Sequence, residues 1–344
     1  MPGGTQRVVF DVVQRLAETD DITLFAPAGS EVSDRVNLRI YETTDRERNE
    51  SRIACHPAAN SYDFIYTQVD TESLVERLAA FDARLVVAAH YYFDAEKIRR
   101  LHEFGCYLQT QSKAQAAFFR CFSPNVIDVT QSVAVEYIQP SLDSLSRVNA
   151  GEITLSELVK LKARDVDYLL ILSRICDYKG QKTAIEIARR CRISLIIAGA
   201  PVYEREGDHH YFQTEIEPRV DGEAMIYFGN ANERQKLELM RFAVATLLPT
   251  GFENANWHEA FGRVVNESLA CGTPVVAANR GAMPEQIVHG DCGFLFETVA
   301  EAIVAVGQID EIRRADCVRR TREFLNADRF VSDLRRALLE LSKN

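Results

Sequence analysis

Short apolar runs rich in β-branched residues alternate with amphipathic helical stretches along this chain, and the alternation starts twice. In the first half, the predicted strands are residues 22–26, 38–41, 64–68, 85–89 and 126–130, and the predicted helices are residues 6–18, 73–81, 95–104 and 113–122. In the second half, the predicted strands are residues 168–172, 195–198, 224–228, 245–248 and 274–277, and the predicted helices are residues 181–191, 233–242, 264–271 and 283–288. Hydrophobic patterns that alternate in this way predict parallel α/β architecture.

The restart of the pattern predicts two domains. A chain of 344 residues exceeds the size at which a single hydrophobic core keeps growing. We place the first domain in residues 1–145, a polar linker in residues 146–166 and the second domain in residues 167–314. A helical segment over residues 315–344 is expected to pack back across the junction. Because parallel sheets bind ligands at the carboxyl ends of their strands, we expect a ligand cleft between the two domains.

Composition and charge narrow the class of partner. The chain has 47% hydrophobic and 26% charged residues, as ordinary soluble proteins do, and it has no apolar run of about 18 residues that would span a bilayer. Its net charge of −10 disfavours nucleic acid, because an acidic surface repels phosphate backbones. The same charge argues weakly against docking on anionic lipid, so peripheral membrane contact is left open but not indicated. Eight scattered cysteines without a C-x-x-C pair predict a reduced, cytoplasmic protein.

The most informative stretch lies between residues 250 and 285. A buried strand ends there in a polar loop, which closes with Glu259, Phe261 and Gly262. Gly262 lets a ligand approach the backbone closely. A helix is predicted to start directly after it, and its first residues are Arg263, Val264 and Val265. We expect their free N–H groups to form a helix N-terminus suited to a diphosphate.

Two glutamates flank this predicted helix start. Glu259 precedes it and Glu267 lies on its second turn, so that about 11 Å separates them, which is comparable to the distance from sugar to ribose in a nucleotide sugar. One carboxylate can accept hydrogen bonds from sugar hydroxyls and the other from ribose hydroxyls, with the phosphates between them. The alternative is a surface helix with two solvated glutamates.

Glu259 to Glu267 matches the E-x7-E motif of retaining GT-B glycosyltransferases. Residues 270–276 and 280–285 resemble the A-C-G-T-P-V and G-G-x-P-E segments of glycosyltransferase family 4. Two glutamates eight residues apart occur by chance in many helices, but in this context the match is specific. The resemblance implies a GT-B fold with two Rossmann-like domains and a donor cleft between them. It also implies that the second domain holds most of the nucleotide sugar and that transfer retains the anomeric configuration.

A second cluster, residues 173–180, follows the first predicted strand of the second half. It resembles the family's G-R-x-x-x-x-K-G segment, in which Arg174 and Lys179 correspond to the cations that grip the donor diphosphate, while Ser173 replaces the usual glycine. Positive charge at a departing diphosphate lowers the barrier without proton transfer. We therefore predict no metal and no cofactor, with the nucleotide sugar as co-substrate. Considered alone, two such cations would more commonly belong to a solvated basic loop.

Three glycines and a histidine complete the set of candidate site residues. Gly3 and Gly4 resemble the glycine loop that approaches the donor phosphates from the first domain. In the family a strand precedes this loop, whereas this sequence starts without one, so either upstream residues are lacking or the first sheet is built differently. His90 follows a predicted strand where the family keeps a histidine near the donor sugar; a structural role is an equal alternative. Gly199 ends another strand and is expected near the nucleotide base.

The sequence therefore predicts a metal-independent, retaining glycosyltransferase. It would move a sugar from a nucleoside-diphosphate sugar to an acceptor such as a glycan, a lipid-linked sugar or a small molecule. One alternative is a nucleotide-sugar epimerase or hydrolase, which needs no acceptor. Another is a non-catalytic protein that binds nucleotide sugars. The sequence identifies neither the donor sugar and base, nor the acceptor, nor the oligomeric state.

Overall fold

The computed structural model describes residues 4–27, 30–41, 62–132, 167–202, 205–254 and 256–343. The chain forms two compact units, one of residues 1–134 together with 326–344 and the other of residues 135–325. Each unit has hydrophobic core clusters of its own. The linker predicted at residues 146–166 lies outside the described residues.

The described strands of the first unit are all parallel and form two sheets. Its first elements are α1 (Gly4–Leu16), β1 (Ile22–Pro27), β2 (Val36–Tyr41), β3 (Phe64–Thr67), α2 (Glu72–Leu78), β4 (Arg84–Ala88), α3 (Ala95–Glu103), β5 (Tyr107–Thr110), α4 (Lys113–Arg120) and β6 (Val126–Asp128). β1 pairs with β2, and the second sheet has the order β3-β4-β5-β6. The described residues thus contain two sheets where the resemblance implies one Rossmann-like sheet, and α1 is the first element described.

The larger sheet of the first unit is packed against amphipathic helices. β4 is an apolar strand whose residues Leu85 to Ala88 are buried, as expected for a central parallel strand. On α3, Ile98 and Leu101 lie three residues apart and are fully buried, because this spacing places them on one helix face. The side chain of Asp94 caps this helix by accepting a hydrogen bond from the N–H of Lys97 at 2.8 Å.

The described residues of the second unit form one parallel six-stranded sheet. Its elements are β7 (Tyr168–Leu172), α5 (Gln181–Cys191), β8 (Ser194–Ala198), α6 (Glu206–Tyr211), β9 (Met225–Gly229), α7 (Glu233–Phe242), β10 (Ala245–Leu248), α8 (Arg263–Ala270), β11 (Val275–Ala278), α9 (Met283–Gln286), β12 (Gly293–Phe296), α10 (Val299–Gly307) and α11 (Arg314–Phe324). The strand order is β12-β11-β10-β7-β8-β9. The sheet and its helices share one core in which the central strands β7 and β10 are almost completely buried.

Each predicted strand and helix overlaps an observed element, with ends that differ by a few residues. Four observed elements had no prediction, and they are β5, α6, β12 and α10. β5 breaks the apolar pattern because it buries the polar side chains of Gln109 and Thr110. These two side chains are satisfied by hydrogen bonds to other residues of the unit, which sequence periodicity does not reveal.

The C-terminal segment forms two helices, whereas the sequence predicted one helical segment over residues 315–344. α11 packs against α8 within the second unit, and α12 (Ala327–Leu341) packs against α1 within the first. The helices are separate because Asn326 caps α12, its side chain accepting from the N–H of Arg329 at 2.8 Å. In the first unit, Arg335 donates two hydrogen bonds to the carboxylate of Asp20, at 2.7 and 3.0 Å.

Candidate active site

The strand order of the second unit reverses between β7 and β10. From β7 the chain proceeds to β8 and β9 on one side, and from β10 it proceeds to β11 and β12 on the other. Such a reversal is the place where open parallel sheets bind ligands, at the carboxyl ends of the two strands. Residues 173–180 follow β7, and residues 249–262 follow β10.

The loop after β7 ends in a glycine that allows close contact with the end of β10. Gly180 has φ +76°, and α5 starts at the next residue. A Cβ atom at this position would lie 2.6 Å from the carbonyl oxygen of Pro249, so a larger residue would push the two loops apart. Lys179, the residue before Gly180, therefore lies against the loop that follows β10.

Lys179 and Glu259 meet at the centre of this arrangement. The Nζ atom of Lys179 lies 2.5 Å from Oε2 of Glu259, and each side chain is 18% exposed. The backbone of Glu259 is fixed in turn by the R-G-A-M-P-E segment: Ala282 donates its N–H to the Glu259 carbonyl at 3.0 Å. A Cβ atom on Gly281 would lie 2.4 Å from that carbonyl oxygen. Two segments singled out in the sequence thus converge on one ion pair.

The start of α8 follows immediately after Glu259. Gly262 is the N-cap with φ +85°, and a Cβ atom there would lie 2.8 Å from the Met283 side chain. Phe261 is buried at 4% exposure, so it offers a ligand its backbone more than its ring. The prediction of three free N–H groups is wrong for Val265, whose N–H donates to the Gly262 carbonyl at 2.9 Å because the first turn is tight. Val264 packs against the core.

Glu267, expected to receive ribose hydroxyls, is buried at 4% exposure. Its Oε1 atom accepts hydrogen bonds from Lys236 Nζ at 2.9 Å and from Arg263 Nη2 at 3.2 Å. Lys236 comes from α7, where it also pairs with Glu233 at 3.0 Å. The orientation of the Glu267 carboxylate is therefore set by two cations of this unit before any ligand binds.

Arg174 lies in the same loop as Lys179 but contacts a different carboxylate. Its Nε atom is 3.6 Å from Oδ2 of Asp208. The guanidinium carbon of Arg174 and the amine of Lys179 lie 5.3 and 5.9 Å from the ring centroid of Tyr178, which separates the two cations in the sequence. Gly199 lies beside this loop, with φ +130°, and a Cβ atom on it would clash with the Ser173 carbonyl at 1.9 Å.

His90 belongs to the first unit and lies two residues after the end of β4. Its Nε2 atom is 2.7 Å from the amide oxygen of Gln68, which follows β3. Burial lowers the pKa of His90 below its ordinary value, and the nearby negative charge of Asp70 only partly opposes this effect. Burial alone would raise the pKa of Asp70, but hydrogen bonds from Lys97 and Tyr91 outweigh it and lower that pKa. The imidazole is therefore neutral at neutral pH.

The glycine loop is described in part. Gly4 is the first residue of α1, so it begins a helix as the sequence predicted. Gly3 lies outside the described residues. Both glycines remain predictions as donor contacts.

Several side chains at the site were not predicted from the sequence, among them Tyr178, Trp257, Asp208 and Lys236. Tyr178 and Trp257 stack with ring centroids 3.9 Å apart. Trp257 is the single tryptophan of the chain and precedes Glu259 by two residues in a polar loop, which is the signal that could have found it. Asp208 and Lys236 lie on helices whose sequence patterns carry no such signal.

The described residues offer little for metal or thiol chemistry. Within them, no group of three or more His, Cys, Asp or Glu side chains lies close enough together to hold a metal ion. Burial raises the pKa of Cys106 and of Cys271 to about 12, so these two thiols stay protonated at neutral pH. None of the described helices combines the length and the apolar character needed to cross a bilayer.

Solved structures with the same architecture identify the fold. A sucrose-phosphate synthase from Thermosynechococcus elongatus has a TM-score of 0.77 at 15% identity, covering 98% of this chain and 94% of that one. HepE from Anabaena, in complex with UDP-glucose, has a TM-score of 0.73 at 16% identity, covering 100% and 97%. At such identities the likeness shows the fold alone, and the fold is that of the GT-B glycosyltransferases. The predicted fold class is therefore confirmed.

Sequence relatives then add a likeness to one family. Residues 157–321 match the family described as glycosyl transferases group 1. A GDP-mannose-dependent alpha-(1-6)-phosphatidylinositol dimannoside mannosyltransferase of Mycobacterium tuberculosis is 24% identical over 344 residues, which cover 96% of this chain and 77% of that protein. A D-inositol 3-phosphate glycosyltransferase of Acidothermus cellulolyticus is 28% identical over 163 residues, which span 44% of this chain and only 35% of that protein's length. These matches show that this chain is similar to group 1 glycosyltransferases, most of all within residues 157–321.

Proposed function

We propose that this protein transfers a sugar from a nucleoside-diphosphate sugar to a hydroxyl group of an acceptor, with retention at the anomeric carbon and without a metal ion. The bond between the anomeric carbon and the diphosphate oxygen breaks, and the diphosphate leaves with its electron pair. The acceptor oxygen forms the new bond and releases its proton. Family 4 of the glycosyltransferases is the grouping that the E-x7-E context supports.

The observation that carries this proposal is the Lys179–Glu259 pair at the strand reversal between β7 and β10. Lys179 brings a positive charge to the point where a diphosphate can also meet the start of α8 at Arg263. Positive charge fixed in advance stabilises the negative charge that develops on a departing diphosphate. Glu259, beside that charge, is positioned to accept hydrogen bonds from sugar hydroxyls.

The other predicted site residues have supporting roles in this proposal. Arg174 adds a second cation near the diphosphate, and Glu267 binds the ribose. Because an amide oxygen can only accept, Nε2 of His90 donates to Gln68, and the neutral ring keeps Nδ1 as an acceptor for a sugar hydroxyl. The remaining contacts with the nucleotide sugar are backbone contacts, made by Gly3, Gly4, Gly199, Phe261, Gly262 and Val264, whereas the N–H of Val265 is already used within α8.

The names of the relatives and neighbours indicate which kinds of substrate to consider for this protein. One solved neighbour holds UDP-glucose, and one relative is named as GDP-mannose-dependent. The acceptors in the relatives' names are an inositol phosphate and a phosphatidylinositol glycan. We therefore propose a nucleoside-diphosphate hexose as donor and a hydroxylated acceptor.

A thermal-shift screen tests the proposal first. UDP, GDP, TDP, ADP and their common sugar conjugates are added to the full chain with and without a metal chelator. A ligand that binds the native state raises the melting temperature by linkage. A shift with one base that the chelator does not change supports the proposal and identifies the donor, and no shift with any nucleotide contradicts it.

Turnover of the donor then separates transfer from the alternatives. A transferase consumes the sugar nucleotide rapidly only when a suitable acceptor is present. Rapid consumption without an acceptor would indicate an epimerase or a hydrolase. Binding without any turnover, across a panel of sugar and inositol acceptors, would indicate a non-catalytic nucleotide-sugar-binding protein.

A further inference from the structure

The loop that precedes Glu259 is held to the loop after β7 by a stacked pair of aromatic rings. Trp257 and Tyr178 have ring centroids 3.9 Å apart with an interplanar angle of 27°. Tyr178 is the neighbour of Lys179 in the sequence, and Trp257 precedes Glu259 by two residues. The stack therefore joins the two chain segments that carry the central ion pair.

Two further contacts link the same segments. Gly251 donates its N–H to the carbonyl of Tyr178 at 2.8 Å. The carboxylate of Glu253 accepts from the N–H of Thr183 at 2.9 Å and from its hydroxyl at 2.5 Å, in the first turn of α5. The stack, the backbone bond and the Glu253 contact are independent of Lys179 and Glu259, so they can hold the loops together while those two side chains exchange partners.

Tyr178 also lies close to both cations of its loop. The Arg174 guanidinium carbon is 5.3 Å and the Lys179 amine 5.9 Å from the centroid of its ring. Distances of this size are those of cation–π contacts. A shift of the ring would therefore change the surroundings of Arg174 and Lys179 together.

We propose that Trp257 and Tyr178 are positioning residues for sugar transfer. Their stack keeps Lys179 and Glu259 in the positions that the transfer step needs. This inference rests on the proposed function and deepens it by naming the groups that organise the site in advance. Displacements of about 1 Å at a reacting centre can lower turnover by about 100-fold, so loss of the stack has a kinetic effect as well as an effect on stability.

The first experiment needs no ligand, because Trp257 is the only tryptophan and its fluorescence reports on the stack alone. Tyr178→Ala is expected to shift the emission to the red and to increase quenching by acrylamide. Tyr178→Phe is the matched control: the Oη atom of Tyr178 has no hydrogen-bond partner among the described residues, and the ring is kept. Identical emission and quenching in Tyr178→Ala and the wild type would overturn the stack.

The second experiment measures kinetics with the donor found in the thermal-shift screen. Trp257→Ala and Tyr178→Ala are expected to lower kcat by about 10- to 100-fold while changing the KM for the donor by less than about 3-fold. Trp257→Phe and Tyr178→Phe, which keep an aromatic ring, are expected to recover most of kcat. If Trp257→Ala does not fold, the Tyr178 pair of variants carries the test.

The outcomes separate this inference from the proposed function. A purely structural role lowers the melting temperature of the alanine variants but leaves kcat of the folded protein unchanged, and that result would overturn the inference while the proposed function stands. Absence of nucleotide binding and of transfer in the wild type would overturn both. Loss of kcat that phenylalanine restores, together with the fluorescence change, supports the inference.

Discussion

The Nζ atom of Lys179 and the Oε2 atom of Glu259 lie 2.5 Å apart, and each of these two side chains is 18% exposed. A bound donor competes with this ion pair, because its phosphates attract the amine of Lys179 and its sugar hydroxyls donate hydrogen bonds to the carboxylate of Glu259. Each side chain is thus kept in place by the other until a ligand replaces the contact. Removal of one partner should therefore affect binding and turnover differently.

Glu259→Ala is expected to lower kcat/KM by about 100-fold or more, since a sugar-orienting contact is lost. The affinity for the free nucleoside diphosphate should stay the same or rise, because Lys179 loses its internal competitor. Steady-state kinetics and calorimetric titration of the nucleotide measure the two effects. Glu186→Ala is the control, since Glu186 is an exposed residue of α5 paired with Arg190. Wild-type turnover in Glu259→Ala would refute the assignment of this residue.

The lowered pKa of His90 predicts a pH dependence of stability. The folded-state pKa lies below the ordinary value of 6.5, so the unfolded chain binds a proton first as the pH falls. Stability is therefore present above this value and is lost between it and the folded-state pKa. His90→Gln, which lacks the titrating group, should show a smaller fall in melting temperature between about pH 7.5 and about pH 5.5. An equal fall in melting temperature in His90→Gln and in the wild type would show that His90 does not cause this pH dependence.

At the scale of secondary-structure elements, the site depends on how closely α5 and β10 approach each other. Gly180 makes that approach possible, because it combines φ +76° with a backbone contact to Pro249. The same residue is the N-cap of α5 and follows Lys179, so its conformation sets both the helix start and the position of the amine.

Gly180→Ala is expected to reduce the free energy of unfolding by about 2 kcal/mol through backbone strain, and to weaken nucleotide binding because Lys179 moves. Gly307→Ala is the matched control. Gly307 ends α10, and a Cβ atom on it would meet nothing within 4 Å. That change should be neutral or stabilise by about 0.5 kcal/mol. Denaturant unfolding and calorimetry measure both variants; equal stability of the two would contradict the steric argument.

At the scale of the whole molecule, the chain returns to its first unit after completing the second. α12 buries Phe330, Val331, Leu334 and Leu338, and it packs against α1. Its Arg335 pairs with Asp20, and its Asp328 pairs with Arg15 at 2.6 Å. The first unit is therefore complete only when the last residues of this sequence are in place.

Deletion of residues 326–344 should unfold the first unit and leave the second folded. Each of the four buried side chains contributes about 1.5–3 kcal/mol, and together they match the entire stability of a typical domain. Calorimetry should show loss of one transition, and hydrogen exchange should show loss of protection in β4 but not in β7. Arg335→Ala is the control and should leave both transitions in place, because its ion pair is partly exposed and screened by solvent. Retained protection of β4 after the deletion would contradict this prediction.

Local patterns in the sequence were enough to predict the fold class and to reveal the resemblance to a family. The apolar runs at residues 85–89 and 168–172 indicate that these segments are buried strands. This inference requires no knowledge of the rest of the chain. The motif at Glu259 and Glu267 is equally local, since both residues flank the start of one short helix. Local patterns were therefore sufficient to predict parallel α/β architecture and to recognise a GT-B glycosyltransferase.

The contacts of the side chains at the candidate site, in contrast, depend on the tertiary structure. Lys179 and Glu259 are 80 residues apart in the chain, and no periodicity relates the loops that carry them. The same holds for the stack of Tyr178 on Trp257 and for the pairing of Glu267 with Lys236. Periodicity shows that a face is buried but not which distant segment covers it, and a side chain's partners and pKa depend on that segment.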